Sequence, residues 1–152
     1  MGRRRPQRCA RPEAALALLR QQLRPVKAAD LATLRFLIAD LNANKFAVRQ
    51  KAQAELEALG ELAAPLLERM LDDKPSVEMR RRIEAVLQKV ETGPSPPACL
   101  RPLRALMVLE MLGTAEARAL MKELAAGEPD AWLTVEAQAA WRRAEVCHNP
   151  PP

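Results

Sequence analysis

Residues 52–71 read AQAELEALGELAAPLLERML, and residues 105–124 read ALMVLEMLGTAEARALMKEL. Laid over one another at an offset of 53, they agree at eight of twenty positions without a gap. The matches are Ala52 with Ala105, Leu56 with Leu109, Glu57 with Glu110, Leu59 with Leu112, Gly60 with Gly113, Ala64 with Ala117, Leu67 with Leu120 and Leu71 with Leu124. Apolar residues recur three and four apart on both sides of each glycine, the spacing of one helical face. A glycine closing such a run supplies the left-handed residue that stops a helix, so Gly60 and Gly113 read as structural. A five-residue longer loop around Gly127 to Leu133 then brings Ser76, Val77 and Glu78 onto Thr134, Val135 and Glu136, each triplet read as the capped start of a further helix. Both units are therefore helix, turn, helix, capped helix.

Working outward, Pro12 opens a first helix that carries Leu16, Leu19 and Leu23 to a stop at Pro25. Asp30 is placed to cap a second, with Leu31, Leu34, Leu37, Ile38 and Leu41 on its apolar face and a turn at Asn42 to Asn44. From Lys45 to Leu59 the inward set is Phe46, Val48, Ala52, Leu56 and Leu59. From Ser76 to Val90 it is Val77, Ile83, Val86, Leu87 and Val90. ETGPSPP at residues 91–97 continues neither neighbouring helix and marks the break between repeats. Each hairpin has an apolar face that it cannot cover alone, and stacking successive hairpins builds one continuous core. An all-α fold and a short α-solenoid follow, with Leu16, Leu19 and Leu23 the leucines most exposed at its end.

Two Phe, two Trp and no Tyr among 152 residues agree with an all-helical chain, since aromatic and β-branched residues favour strands. The net charge of +5 sits at the N-terminus: residues 1–11 hold five arginines and no acid, and the remainder carries 19 basic against 19 acidic residues. Residues 1–11 are expected to be a disordered basic leader, residues 12–147 the folded body and residues 148–152 a disordered tail. No apolar run reaches the ~18 residues of a membrane span, and Ala14 to Leu19 is too short for a signal peptide core. Cys9, Cys99 and Cys147 suit neither a disulfide framework nor a zinc site. A soluble cytoplasmic protein with reduced thiols is expected.

NKFAVRQKAQAELEALGELAAPLLERML at 44–71 and PSVEMRRRIEAVL at 75–87 resemble bacterial HEAT-like repeats of the phycobilisome-lyase type. Residues 23–60 and 103–127 are similar to the helical segment that follows the propeller in large bacterial WD-repeat proteins. The resemblance covers roughly residues 13 to 146 and implies a short right-handed α-solenoid of HEAT-like helical hairpins. It also implies an interaction or spacer module, a detached or truncated relative of a larger repeat protein. The arginine of AVRQKA in that pattern reaches a neighbouring turn, which implies a structural role for Arg49, bonded to backbone or to Asn42 or Asn44.

One His, two Ser and three Cys leave little to build a nucleophile, acid, base or metal site from, and the glycines are isolated punctuation rather than a phosphate loop. No enzyme activity, cofactor, metal or small-molecule substrate is expected. Arg80, Arg81 and Arg82 are the one basic run of the body, but three consecutive helical residues fan over more than half the circumference. Glu78 and Glu84 within one turn favour a solvated, salt-bridged face over phosphate binding. Trp132 is a candidate interaction residue, read more simply as packing near a Thr134 cap, and Trp141 as core. The expected function is a non-catalytic scaffold binding an unidentified protein partner. The alternative is a nucleic-acid-binding solenoid assisted by the arginine-rich N-terminus.

Overall fold

The computed structural model describes residues 12–148; the basic leader and residues 149–152 lie outside that range. The described residues form eight α-helices and no strand: α1 (Pro12–Gln22), α2 (Ala32–Asp40), α3 (Phe46–Leu59), α4 (Ala64–Asp72), α5 (Val77–Thr92), α6 (Pro97–Leu112), α7 (Ala115–Ala125) and α8 (Trp132–His148). Single 3-10 turns at Ala28–Leu31 and Gly60–Leu62 lead into α2 and α4.

The helix ends follow local chemistry. Ser76 and Thr114 cap α5 and α7, their hydroxyls accepting from the Met79 and Ala117 N–H groups. Asp30 sits inside the first 3-10 turn, where its carboxylate accepts from the Lys27 N–H at 2.8 Å. Gly60 and Gly113 adopt φ of 57° and 59°, the left-handed region that disfavours a side chain. Gly60 is constrained twice, because a Cβ there would meet Pro96 Cγ at 2.7 Å. The 91–97 break thus folds back over the α3–α4 turn, where Ser95 also donates to Glu61. Thr134 lies within α8 rather than capping it, since the Val135 N–H already donates to the Ala131 carbonyl at 3.1 Å.

Two apolar clusters form the interior. The first joins α2, α3, α4 and α5 through Leu34, Ile38, Leu56, Leu67, Ile83 and Val86. The second joins α6, α7 and α8 through Leu106, Leu109, Leu120, Met121, Leu124 and Ala140. Among the residues paired by the 53-residue offset, Leu56 and Leu109 are both wholly buried and Leu67 and Leu120 nearly so, whereas Leu71 is half-buried and Leu124 wholly buried. Glu57 and Glu110 each bridge the first helix of a group to its third, Glu57 to Lys89 at 2.6 Å and Glu110 to Arg143 at 2.7 Å.

The first helix departs from the expected order. Leu16 and Leu23 are buried, and with the half-buried Leu19 they pack in the second cluster, against α6 and α7. The chain then turns at Pro25, and α2 joins the first cluster. Each three-helix group therefore receives one helix from the N-terminal pair, and the leucines expected at an exposed end are covered. Phe46 and Val77, expected inward, are 62% and 85% exposed. Each is the first residue of its helix, where the side chain tilts toward the N-terminus and past the helix end.

The two groups meet where α8 touches α4 and the Gly60–Leu62 turn, and also at the α7–α8 loop. The Glu128 N–H donates to the Val26 carbonyl at 2.9 Å, tying the second group to the α1–α2 connection. Glu128 also accepts from Arg35 of α2 at 2.6 Å, and Asp130 accepts from Arg69 of α4 at 2.7 Å. Gly127 permits the approach, since a Cβ there would lie 2.6 Å from Thr134 Oγ1 and 3.1 Å from Val26 N and O.

Leu23→Ala should destabilise the whole fold by about 2 to 4 kcal/mol in urea titrations, as for a core leucine. A loss below about 0.5 kcal/mol would show that α1 is not docked. Gly127→Ala should cost about 1 to 3 kcal/mol in the same measurement by forcing the loop off Val26. An unchanged midpoint would show that the contact relaxes freely.

Candidate functional site

The three arginines of the α5 run have separate fates. Arg82 is largely buried, donates to Glu78 at 2.6 Å and reaches Gln53 of α3 at 3.5 Å. Gln53 in turn donates to Glu57 at 3.0 Å, and Lys89 donates to the same carboxylate. Arg82 thus ends a polar ladder between α3 and α5. Arg80 turns toward the Leu71 carbonyl at 3.4 Å and lies 3.8 Å from Glu84. Arg81 is exposed and has no salt-bridge partner among the described residues. The run presents no shared basic patch.

Trp132 opens α8 and is buried, 7% exposed, so it is not on offer at the surface. Trp141 is half-buried against the second cluster, with the Lys122 ammonium 5.9 Å from its ring centroid. Arg49 donates to the carbonyls of Ala43 and Asn44 at 2.7 and 2.9 Å, closing the α2–α3 turn. Its guanidinium also lies 5.7 Å from the Phe46 ring centroid. Cys99 is fully buried, and burial foremost, with Glu61 nearby, pushes its thiol up to about 11. It is a core residue rather than a nucleophile. Cys9 lies outside the described residues.

Among the surface hollows of the described residues, three bear on function. One, of about 430 Å³, lies between α2 and α3 and is lined by Phe36, Leu37, Asp40, Val48, Lys51 and Glu55 among others. Phe36 is 68% exposed, and Phe46 stands at the start of α3. Phe36 escapes burial because the inward positions of α2 are Leu34 and Ile38, two residues to either side of it. A second hollow, of about 370 Å³, lies over the Arg35, Arg69 and Asp130 cluster. Asp130 raises the affinity of Arg69 for its proton by hydrogen bond and charge, so this cluster is internally neutralised.

The third hollow, of about 670 Å³, lies between the α6–α7 turn at Gly113 and the last turns of α8. Arg118, Arg142, Arg143, Glu110, Ala144 and Val146 line it with Gly113. Among the described residues no cluster of His, Cys, Asp or Glu could hold a metal ion, and no helix is long and apolar enough to cross a membrane. Reading the sequence alone missed Phe36, Phe46, Arg118 and Arg142 as surface groups. The adjacent Arg142 and Arg143 were the available signal for the third hollow. No family model, no curated protein and no solved structure matches the chain.

The α3–α5 ladder makes stability depend on pH. Burial pushes the Glu57 carboxyl up, but bonds from Lys89 and Gln53 outweigh it and hold the group below its ordinary 4.5. A depressed carboxyl contributes stability that is present above 4.5 and is lost as pH falls toward the folded value. Glu57→Gln should therefore flatten the acid limb of a plot of unfolding free energy against pH just below 4.5. The difference should shrink in high salt because Lys89 is exposed. Parallel acid limbs for the two proteins would remove Glu57 from the account.

Proposed function

We propose that the protein is a non-catalytic helical-repeat scaffold that binds another protein, its two helix groups corresponding to successive repeats of a short right-handed α-solenoid. The resemblance to HEAT-like repeats and to the helical segment of large bacterial WD-repeat proteins suggests a module of that kind, working in the cytoplasm. The chain has two phenylalanines, Phe36 in the lining of the α2–α3 hollow and Phe46 at the start of α3, and both are more than 60% exposed. That observation carries the reading, because large aromatics left in water on a body with a formed core mark surfaces that another molecule covers. The balanced charge of residues 12–152 and the dispersal of Arg80, Arg81 and Arg82 favour a protein over a polyanion.

Nucleic acid is the second reading, supported by the five arginines of residues 1–11 and by the exposed Arg81. The two are separated by placing a photo-crosslinking amino acid at position 36, 46 or 81 in living cells. Discrete protein adducts are expected from positions 36 and 46 but not from 81. Phe36→Ser should abolish the adducts formed at 46 while shifting stability by less than about 0.5 kcal/mol. The protein-scaffold reading fails if 36 and 46 give no adduct and duplex DNA binds the chain lacking residues 1–11. That binding should weaken steeply from about 50 to about 200 mM salt if nucleic acid is the true partner.

A further inference from the structure

We propose that the hollow between the α6–α7 turn and the end of α8 is a binding site for an acidic peptide segment in which carboxylate side chains alternate with apolar ones. This rests on the reading of the protein as a protein-binding scaffold and adds a second, chemically distinct contact to it. Three guanidinium groups, from Arg118 on α7 and Arg142 and Arg143 on α8, face one hollow in which Glu110 is the one acid among the described lining residues. Arg143 is engaged by that acid, its Nε and one terminal nitrogen donating to the two carboxylate oxygens at 3.2 and 2.7 Å. This two-point grip fixes the guanidinium plane at the wall of the hollow.

Arg118 and Arg142 differ, because neither has a salt-bridge or side-chain hydrogen-bond partner among the described residues. Of the neighbouring acids, Glu116 accepts from its own backbone N–H and from the Thr114 hydroxyl in the cap of α7, and Arg118 acts on it through charge alone. Two unpaired guanidiniums beside a third that is held in place match carboxylates in charge and in donor geometry.

The rest of the lining decides which anion fits. Ala144, Val146 and Gly113 give apolar wall between the charged heads, and Val146 is 61% exposed. An apolar side chain next to an acid covers that wall, whereas a phosphate backbone leaves it wet. Glu110 in the wall repels a dense polyanion, and nucleic-acid binding calls for a row of basic residues along a groove rather than one basic pocket. A peptide with isolated carboxylates avoids both penalties.

The test is fluorescence anisotropy with three labelled probes: a decapeptide of alternating Glu and Leu, its twin with Gln for Glu, and a mixed-sequence DNA duplex. The full chain is compared with Arg118→Gln/Arg142→Gln and with Phe36→Ser. The Arg variant should stay folded, because both side chains leave the core intact; an unchanged thermal midpoint verifies this, and amide chemical-shift mapping on the unaltered chain gives the site independently. The Glu peptide is expected to bind at least tenfold more tightly than its Gln twin and to lose at least tenfold in the Arg variant. Phe36→Ser should leave its affinity unchanged, and Glu110→Gln should tighten it by removing the repelling acid. Equal affinity for the Glu and Gln peptides overturns the proposal, as does duplex binding that exceeds peptide binding and is lost in the Arg variant. Shifts that map to the α2–α3 hollow also overturn it while leaving the scaffold reading in place; failure of that reading would instead show as absent adducts at positions 36 and 46.

Discussion

A close approach between backbones at Gly127 joins the two helix groups, beside the contacts of α8 with α4 and with the Gly60–Leu62 turn. No side chain fits at Gly127, and the Val26 carbonyl instead meets the Glu128 N–H directly. Once those backbones touch, Glu128 and Asp130 fall within reach of Arg35 and Arg69, so α2 and α4 of the first group are bonded to the loop of the second. Asp130 is nearly buried, and a buried carboxylate left without its cation is costly. The loop is thereby committed to one position. Docking of α1 follows from the same contact, since the segment through Val26 leads back to Leu23 and Leu16 on α6 and α7.

With the joint closed, several charged side chains are paired between helices. The ladder from Arg82 through Gln53 and Glu57 to Lys89 ties α3 to α5, and Glu110 with Arg143 does the corresponding work between α6 and α8. Two surfaces stand out among the side chains left uncommitted: Phe36 at the α2–α3 hollow, and Arg118 with Arg142 at the hollow beside the end of α8. One surface is apolar and the other cationic. On the scaffold reading proposed above, a partner that met both surfaces would be recognised with more specificity than either alone provides, because apolar burial supplies affinity while charge rejects wrong partners.

The helices were legible because their determinants are local. Hydrophobic spacing of three and four, hydroxyl caps at Ser76 and Thr114, and glycines at 60 and 113 act within one or two turns of the chain. Misreadings cluster at helix starts. Phe46 and Val77 fit the apolar period but stand at the first helical residue, where the period no longer says which side chains are covered. Thr134 resembles Ser76 in sequence, yet its helix begins two residues earlier, because the loop before it is shaped by contacts with Val26 and α2 rather than by the cap.

By itself the sequence determined an all-helical chain and where most of its helices start and stop. It also placed the excess positive charge in residues 1–11 and left the body neutral. Only the tertiary structure decided that α1 crosses to the second group, that the longer loop bonds to α2 and α4, and that Trp132 is interior while Phe36 is not. The reason is physical. Helix periodicity says which face of a helix is apolar, but the identity of the surface that covers it depends on residues about a hundred positions away, such as Leu16 against Leu120 or Arg35 against Glu128. No local pattern encodes such a pairing; it is selected by which arrangement buries the apolar faces while leaving every buried charge a partner.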